Sequence, residues 1–231
     1  CAERPRVKSL ESVGKGYGVD LKDTRSVAIL LDPPAERGIG MLSFIYDEGA
    51  RDNETWLYLS ALGRVKRIAS GSSDDETEPG SMFGSEFTTE DQDTGKLDEY
   101  EINLLEETTE SGREVWKIET IPNAERARKS RYSRTVLYVD KERFVELRIE
   151  MYDQYGKEIK RMLGARVELM NGIWVARSTT IMNLVTNRLS NMAFLEMHTG
   201  IDVPDEFLTQ RTLTDAAFRE TELEKLRAQI D

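Results

Sequence analysis

Apolar and polar side chains alternate with period two along most of this chain, the spacing of half-buried strands rather than of helices. Residues 26–31 form one such run and stop at Asp32-Pro33-Pro34, where two prolines withdraw the donors a strand needs. Residues 41–46 and 54–60 follow, then a short run at 64–69 in which Val65 stands among Arg64, Lys66 and Arg67. The polar, acidic stretch 71–80 has nothing to bury. Alternation resumes at 96–105, 114–120, 132–139, 144–152, 159–162, 166–170, 173–179, 181–189 and 193–197. Turns at 109–112, 140–142 and 153–156 separate these runs, and Asn171-Gly172 supplies the two positive-φ residues of a type I′ hairpin. Helical periodicity is confined to 213–230, where Thr214-Asp215 can cap a segment free of Gly and Pro.

Strands joined by short turns predict an antiparallel meander, and a single strongly curved sheet or open barrel is the economical architecture. Several strands are apolar on both faces: Trp56 and Tyr58 against Leu57 and Leu59, Val136 and Tyr138 against Leu137 and Val139. Either a helix covers the second face or the sheet wraps a cavity.

Composition narrows the chemistry. The 231 residues carry 32 basic and 43 acidic side chains, a net charge of −11 that argues against nucleic acid as a partner. No apolar run approaches the ~18 residues of a membrane-spanning helix. One cysteine, Cys1, and one histidine, His198, leave no internal disulfide and no Cys/His zinc site, so no metal and no cofactor is expected. His198 reads as structural. Gly84-Ser85 is not a nucleophile elbow, Gly38-x-Gly40 lacks the third glycine of a dinucleotide loop, and Asp74-Asp75-Glu76 with Glu78 lacks EF-hand spacing. No catalytic residue is expected. The basic cluster Arg126, Arg128, Lys129, Arg131 and Arg134 either balances charge on a solvated face or meets an anionic partner. Cys1 permits two readings, a lipid-anchored mature start or an ordinary residue exposed by truncation.

Residues 56–91 carry a resemblance. WLYLSALGRVKRIA, an acidic spacer and SMFGSEFTTED resemble the signature of the LolA-like outer-membrane lipoprotein-sorting family, in the branch of periplasmic carriers associated with RND-type lipid exporters. The matching positions are Trp56, Tyr58, Leu59, Leu62, Arg64, Val65, Arg67, Ile68, Ser70, Phe83, Gly84, Ser85, Phe87, Glu90 and Asp91. Tyr132, Val136, Asp140, Gly156, Trp174 and Leu213 continue it, so that it covers roughly residues 20–215. Ser60, Glu86 and Gln92 depart from the usual proline, aspartate and apolar residue.

The resemblance implies one mainly β, α+β domain over 1–231, an incomplete, strongly curved antiparallel β-barrel covered by helices, with its N-terminal helix and first strand missing. It implies no enzyme activity. The role implied is a periplasmic carrier of lipid or acylated lipoprotein cargo in an apolar barrel cavity, served by an RND-type inner-membrane transporter. A filled barrel acting as adaptor or assembly subunit of an envelope complex is the alternative, and anchoring through Cys1 the alternative location. By parity of alternation the lining residues are Phe44, Trp56, Tyr58, Val65, Phe83, Phe87, Trp116, Ile118, Tyr138, Ile149 and Met151. The motif residues Arg64, Arg67, Gly84, Ser85, Glu90 and Asp91 stand beside them.

Overall fold

The computed structural model describes residues 5–47, 51–68, 80–92 and 96–230. The chain divides into two compact units, residues 1–70 with 198–231, and residues 71–197.

The first unit is a five-stranded antiparallel sheet in chain order: β1 (Ser9–Tyr17), β2 (Asp23–Asp32), β3 (Gly40–Ile45), β4 (Glu54–Leu59) and β5 (Arg64–Ile68). Val13, Val27, Leu42 and Trp56 pair across successive strands, as do Ile29, Gly40, Tyr58 and Val65, so these side chains share one face. The C-terminal segment returns over that face. Val203, Phe207, Leu208, Leu213, Leu223 and Leu226 pack with Val27, Ile29 and Leu42 as the unit's core. A Cβ at Gly40 would stand 2.6 Å from Ile29 Cδ1 and 2.8 Å from Leu213 Cδ2, so a larger residue there would push those two core side chains aside. The helix expected over 213–230 is two: α3 (Gln210–Thr214) and α4 (Ala216–Arg227). Asp215 ends the first with extended backbone and caps the second, accepting from the Phe218 amide at 3.0 Å. In chain order these follow α1 (Thr89–Gln92) and α2 (Ala124–Ala127), both in the other unit.

The second unit is a seven-stranded meander: β6 (Tyr100–Glu110), β7 (Arg113–Pro122), β8 (Arg134–Asp140), β9 (Glu146–Tyr152), β10 (Glu158–Met170), β11 (Ile173–Asn183) and β12 (Arg188–Ala193). Residues 159–162 and 166–170, read as two strands, are one; Arg166 takes a positive φ without breaking the ladder. Asn171 and Gly172 both have positive φ, as the hairpin requires. On one face Val115, Val136, Tyr138 and Leu147 form a small core backed by Tyr152 and Val167.

The strongly curved barrel is therefore not what forms. There are two separate antiparallel sheets in an α+β fold, and neither closes. A barrel needs an unbroken ladder returning to its first strand. Here β5 pairs with β4, β6 pairs with β7, and neither edge pairs with the other among the described residues. The apolar face of β2–β4 is covered by the C-terminal segment, which removes the drive to close on more strands. The sequence pattern also misses β1, whose glycines and charges dilute the alternation.

Candidate apolar binding face

Of the residues expected to line a cavity, Phe44, Trp56, Tyr58 and Val65 share the helix-covered face of the first sheet. Phe44, Trp56 and Tyr58 pack against its core. Phe44 and Trp56 meet edge to face at 5.0 Å, and the Arg25 guanidinium lies 4.7 Å above Phe44. Among the motif residues, Arg67 reaches Trp56 and pairs with Glu54 at 2.8 Å, while Arg64 is exposed.

Trp116, Ile118, Ile149 and Met151 lie together on the other sheet. Ile118 pairs with Leu137, Leu137 with Ile149 and Ile149 with Met162, so one face runs Ile118–Leu137–Ile149–Met162 across four strands. Ile102 and Leu104 extend it onto β6, 48% and 59% exposed. Tyr138 pairs with Lys117 and Arg148, on the opposite face, and is buried in the unit's core. The opposite face also carries the charges: Lys117 with Glu106 at 2.8 Å, Arg134 with Glu119 at 3.0 Å, and Arg148 with Glu150.

A strap crosses one end of the apolar face. It is the motif segment 80–92, turned back on itself by positive φ at Phe83 and Gly84 and by a bridge between Ser81 and Thr88. The Ser85 hydroxyl donates to the Met82 carbonyl at 2.7 Å and accepts from the Phe87 amide at 3.2 Å. Phe83 is half-buried and Phe87 buried. Three side chains of the apolar face hold the strap: Ser190 accepts from the Glu86 amide at 3.0 Å, Asn183 donates to the Glu86 carboxylate at 2.9 Å, and Lys160 donates to Asp91 at 2.7 Å. The Asp91 side chain is 0% and that of Lys160 7% exposed. Asp91 also accepts from the Thr88 amide at 2.7 Å and hydroxyl at 2.8 Å, and from the Tyr132 hydroxyl at 2.5 Å. Both oxygens of the buried carboxylate are thereby hydrogen-bonded, the condition for burying such an ion pair. Glu90 beside it accepts from Ser130 at 2.6 Å and from the Arg131 amide at 3.0 Å. Burial pushes its carboxyl up, opposed by those two hydrogen bonds. Burial and the neighbouring Asp91 push the Tyr132 phenol up as well.

Next to the strapped end a small cavity of about 110 Å³ opens among Val145, Glu146, Ile149, Met162, Gly164, Ala176 and Thr179. A bulge in β9 makes it: Tyr138 pairs with Arg148 and Val139 with Glu146, which leaves Leu147 extra and turns Glu146 onto the apolar face. The Glu146 carbonyl then sits where a Cβ at residue 164 would be, which is why that residue is glycine.

Lys160, Tyr132 and Glu146 are the residues of this face that alternation alone does not single out. Tyr132 is among the resemblance positions, and Lys160 shares its parity with Met162 in an otherwise apolar row. Glu146 gives no signal, because a bulge shifts its parity. Among the described residues no group of three or more His, Cys, Asp and Glu is placed to hold a metal ion, and no helix is long and apolar enough to cross a membrane.

Two antiparallel sheets with short helices define an α+β protein whose fold is similar to those of a lipoprotein-sorting domain and a LolA superfamily protein. The profile of a family described as "uncharacterized protein" matches residues 22–215, and the chain belongs to that family. A DUF1329 family protein from Desulfovibrio piger superposes with a TM-score of 0.81 at 24% identity, over 89% of this chain and 83% of that one. A domain from Vibrio parahaemolyticus, described as a candidate outer membrane lipoprotein-sorting protein, gives 0.76 at 25% identity, over 90% and 83%. A LolA superfamily protein from Nitrosomonas europaea gives 0.57 at 14%, over 89% and 91%, and shares the fold. No curated protein matches the sequence significantly.

Proposed function

We propose that this protein is a non-enzymatic carrier that holds lipid or acylated cargo against the apolar face of its seven-stranded sheet while moving it across a periplasm. One observation carries the reading: Ile118, Leu137, Ile149 and Met162 make a continuous apolar row that remains half-exposed, whereas the unit's own core lies on the other face. A soluble domain that buries one side of its sheet ordinarily leaves the other side polar. Here most ion pairs line the core side, and apart from the strapped end with its Lys160–Asp91 pair the other side is a partly exposed hydrocarbon row. An acyl chain taken from a membrane loses about 0.8 kcal/mol per methylene in water, ~13 kcal/mol for sixteen carbons. Four strands at ~4.8 Å spacing offer such a chain ~15 Å of apolar row. The likeness to the Vibrio lipoprotein-sorting domain supports the cargo class and the compartment, and the resemblance of residues 56–91 supports an RND-type transporter as donor. Phe83 and Phe87 belong to the proposed site through the strap.

Native mass spectrometry after extraction without detergent tests the reading. Adducts of lipid mass are expected, together with saturable binding of a fluorescent fatty alcohol that Ile118→Lys weakens at least tenfold. The size of the cavity favours a second reading, an adaptor of an envelope complex, since 110 Å³ is well below the ~300–1,000 Å³ of a ligand pocket. Absence of co-purified lipid together with no fatty-alcohol binding would select it.

A further inference from the structure

Glu146 is out of keeping with its surroundings. The carboxylates of the second sheet are largely paired: Glu106 with Lys117, Glu107 with Lys141, Glu119 with Arg134, Asp140 with Arg113, Glu158 with Arg161 and Glu168 with Arg177. Most of these partners stand at a strand edge or on the charged face. Glu146 stands on the apolar face, and its side chain has no hydrogen bond or ion pair among the described residues. It is the one titratable group among the residues lining the cavity, where the rest are Val145, Ile149, Met162, Gly164, Ala176 and Thr179. Solvent still reaches it, so the site is open to a ligand.

The placement costs stability twice. A bulge interrupts the β9 ladder to aim the side chain here, and the hydrocarbon beside it removes part of the hydration of an otherwise exposed carboxylate that has no partner. The protein packed around it pushes its carboxyl up, as burial without a counter-ion does. A neutral side chain at residue 146 would avoid the second cost.

We propose that Glu146 is the headgroup contact of the cargo site and that the preferred cargo is an amphiphile with an ammonium head on an apolar chain. The inference rests on the carrier reading and names the cargo class of that same face. The cavity is of the order of the ~150 Å³ engineered cavity that admits benzene, so it takes an ammonium and its first few carbons. The Glu146 carboxylate meets the charge, with the Thr179 side chain as the other polar group of the wall. The chain then continues from Ile149 over Leu137 and Ile118. Trp116 lies two strands away in the same row, through Val139, and offers its ring to a cation that moves along the face. One carboxylate and one hydroxyl are too few ligands for a metal ion, which leaves an organic cation.

Calorimetric titration of the full chain with dodecylammonium, dodecanol and dodecyl sulfate, at equal ionic strength and below their micelle concentrations, tests the proposal. Dodecylammonium is expected to bind at least tenfold more tightly than dodecanol, and dodecyl sulfate more weakly than either. Glu146→Gln is expected to reduce the ammonium-to-alcohol ratio below threefold. Ala176→Leu, which fills the cavity from β11, should do the same with Glu146 intact, and circular dichroism verifies that each variant is folded. Equal affinity for ammonium and alcohol in the wild type, or an unchanged ratio in Glu146→Gln, overturns the headgroup assignment and leaves the carrier reading standing. Failure of all three amphiphiles to bind overturns both.

Discussion

Single side chains decide whether the strap can hold. Asp91→Ala leaves the Lys160 ammonium buried without a counter-charge, and a loss of about 3–5 kcal/mol is expected in urea denaturation. Replacing both, as Asp91→Leu with Lys160→Met, should recover most of that loss, because the cost lies in the orphaned charge rather than in the missing attraction. Asp140 supplies a pH dependence. Arg113 donates to it at 2.9 and 3.2 Å, and the amides of Glu142 and Arg143 donate at 2.9 and 3.1 Å. Arg113 first, then those amides, lower its carboxyl to about 2. A folded value below the unfolded one means the stabilisation is complete above about pH 4 and disappears as pH falls through about 2. Acid titration monitored by circular dichroism should show Arg113→Met losing about 2 kcal/mol at pH 7 and little below pH ~2. Asp140 and Asp91 are visible in the sequence as resemblance positions, but no spacing rule reveals that their partners are Arg113, 27 residues earlier, and Lys160, 69 residues later.

At the scale of elements, turn chemistry and alternation carry most of the information. Asn171-Gly172 announces its hairpin because few residues accept positive φ twice in succession. Gly172→Val should destabilise by about 1 kcal/mol or more, read from the urea midpoint, since a β-branched residue resists that conformation. Alternation puts Trp116 and Ile118 on one face, and Ile149 and Met151 likewise. It cannot align one strand with the next, which is how Tyr138 comes to face the core: the turn sets the register, and a slip of one residue exchanges the faces. The strap is the element least legible beforehand. Its phenylalanines and acids stand out as a motif, yet its path is set by Ser190, Asn183 and Lys160 on three different strands. Hydrogen exchange should show the amides of residues 80–92 exchanging at least tenfold faster in Asp91→Asn than in the wild type, with β7 and β8 unchanged.

Over the whole molecule, a charge of −11 opposes adsorption to anionic lipid. Co-sedimentation with anionic vesicles should be weak at low salt and should rise as salt screens the repulsion. Length, composition and alternation determine that a full core is buried, that no zinc site of cysteine and histidine is available, and that the chain is built mostly of antiparallel strands. The sequence determines these because each depends on local conformation or on residue counts. Division of the strands into two sheets is a tertiary decision. Phe207, Leu213 and Leu223 return from the far end of the chain to cover Val27, Ile29 and Leu42, and a sheet whose apolar face is already covered has no need to close into a barrel. The cavity at Glu146 is likewise tertiary, since one extra residue in β9 moves a carboxylate from the parity of the charged, core-bearing face to that of the apolar face. Periodicity records how often a side chain is buried along its own strand; which surface buries it is chosen by contacts far apart in sequence.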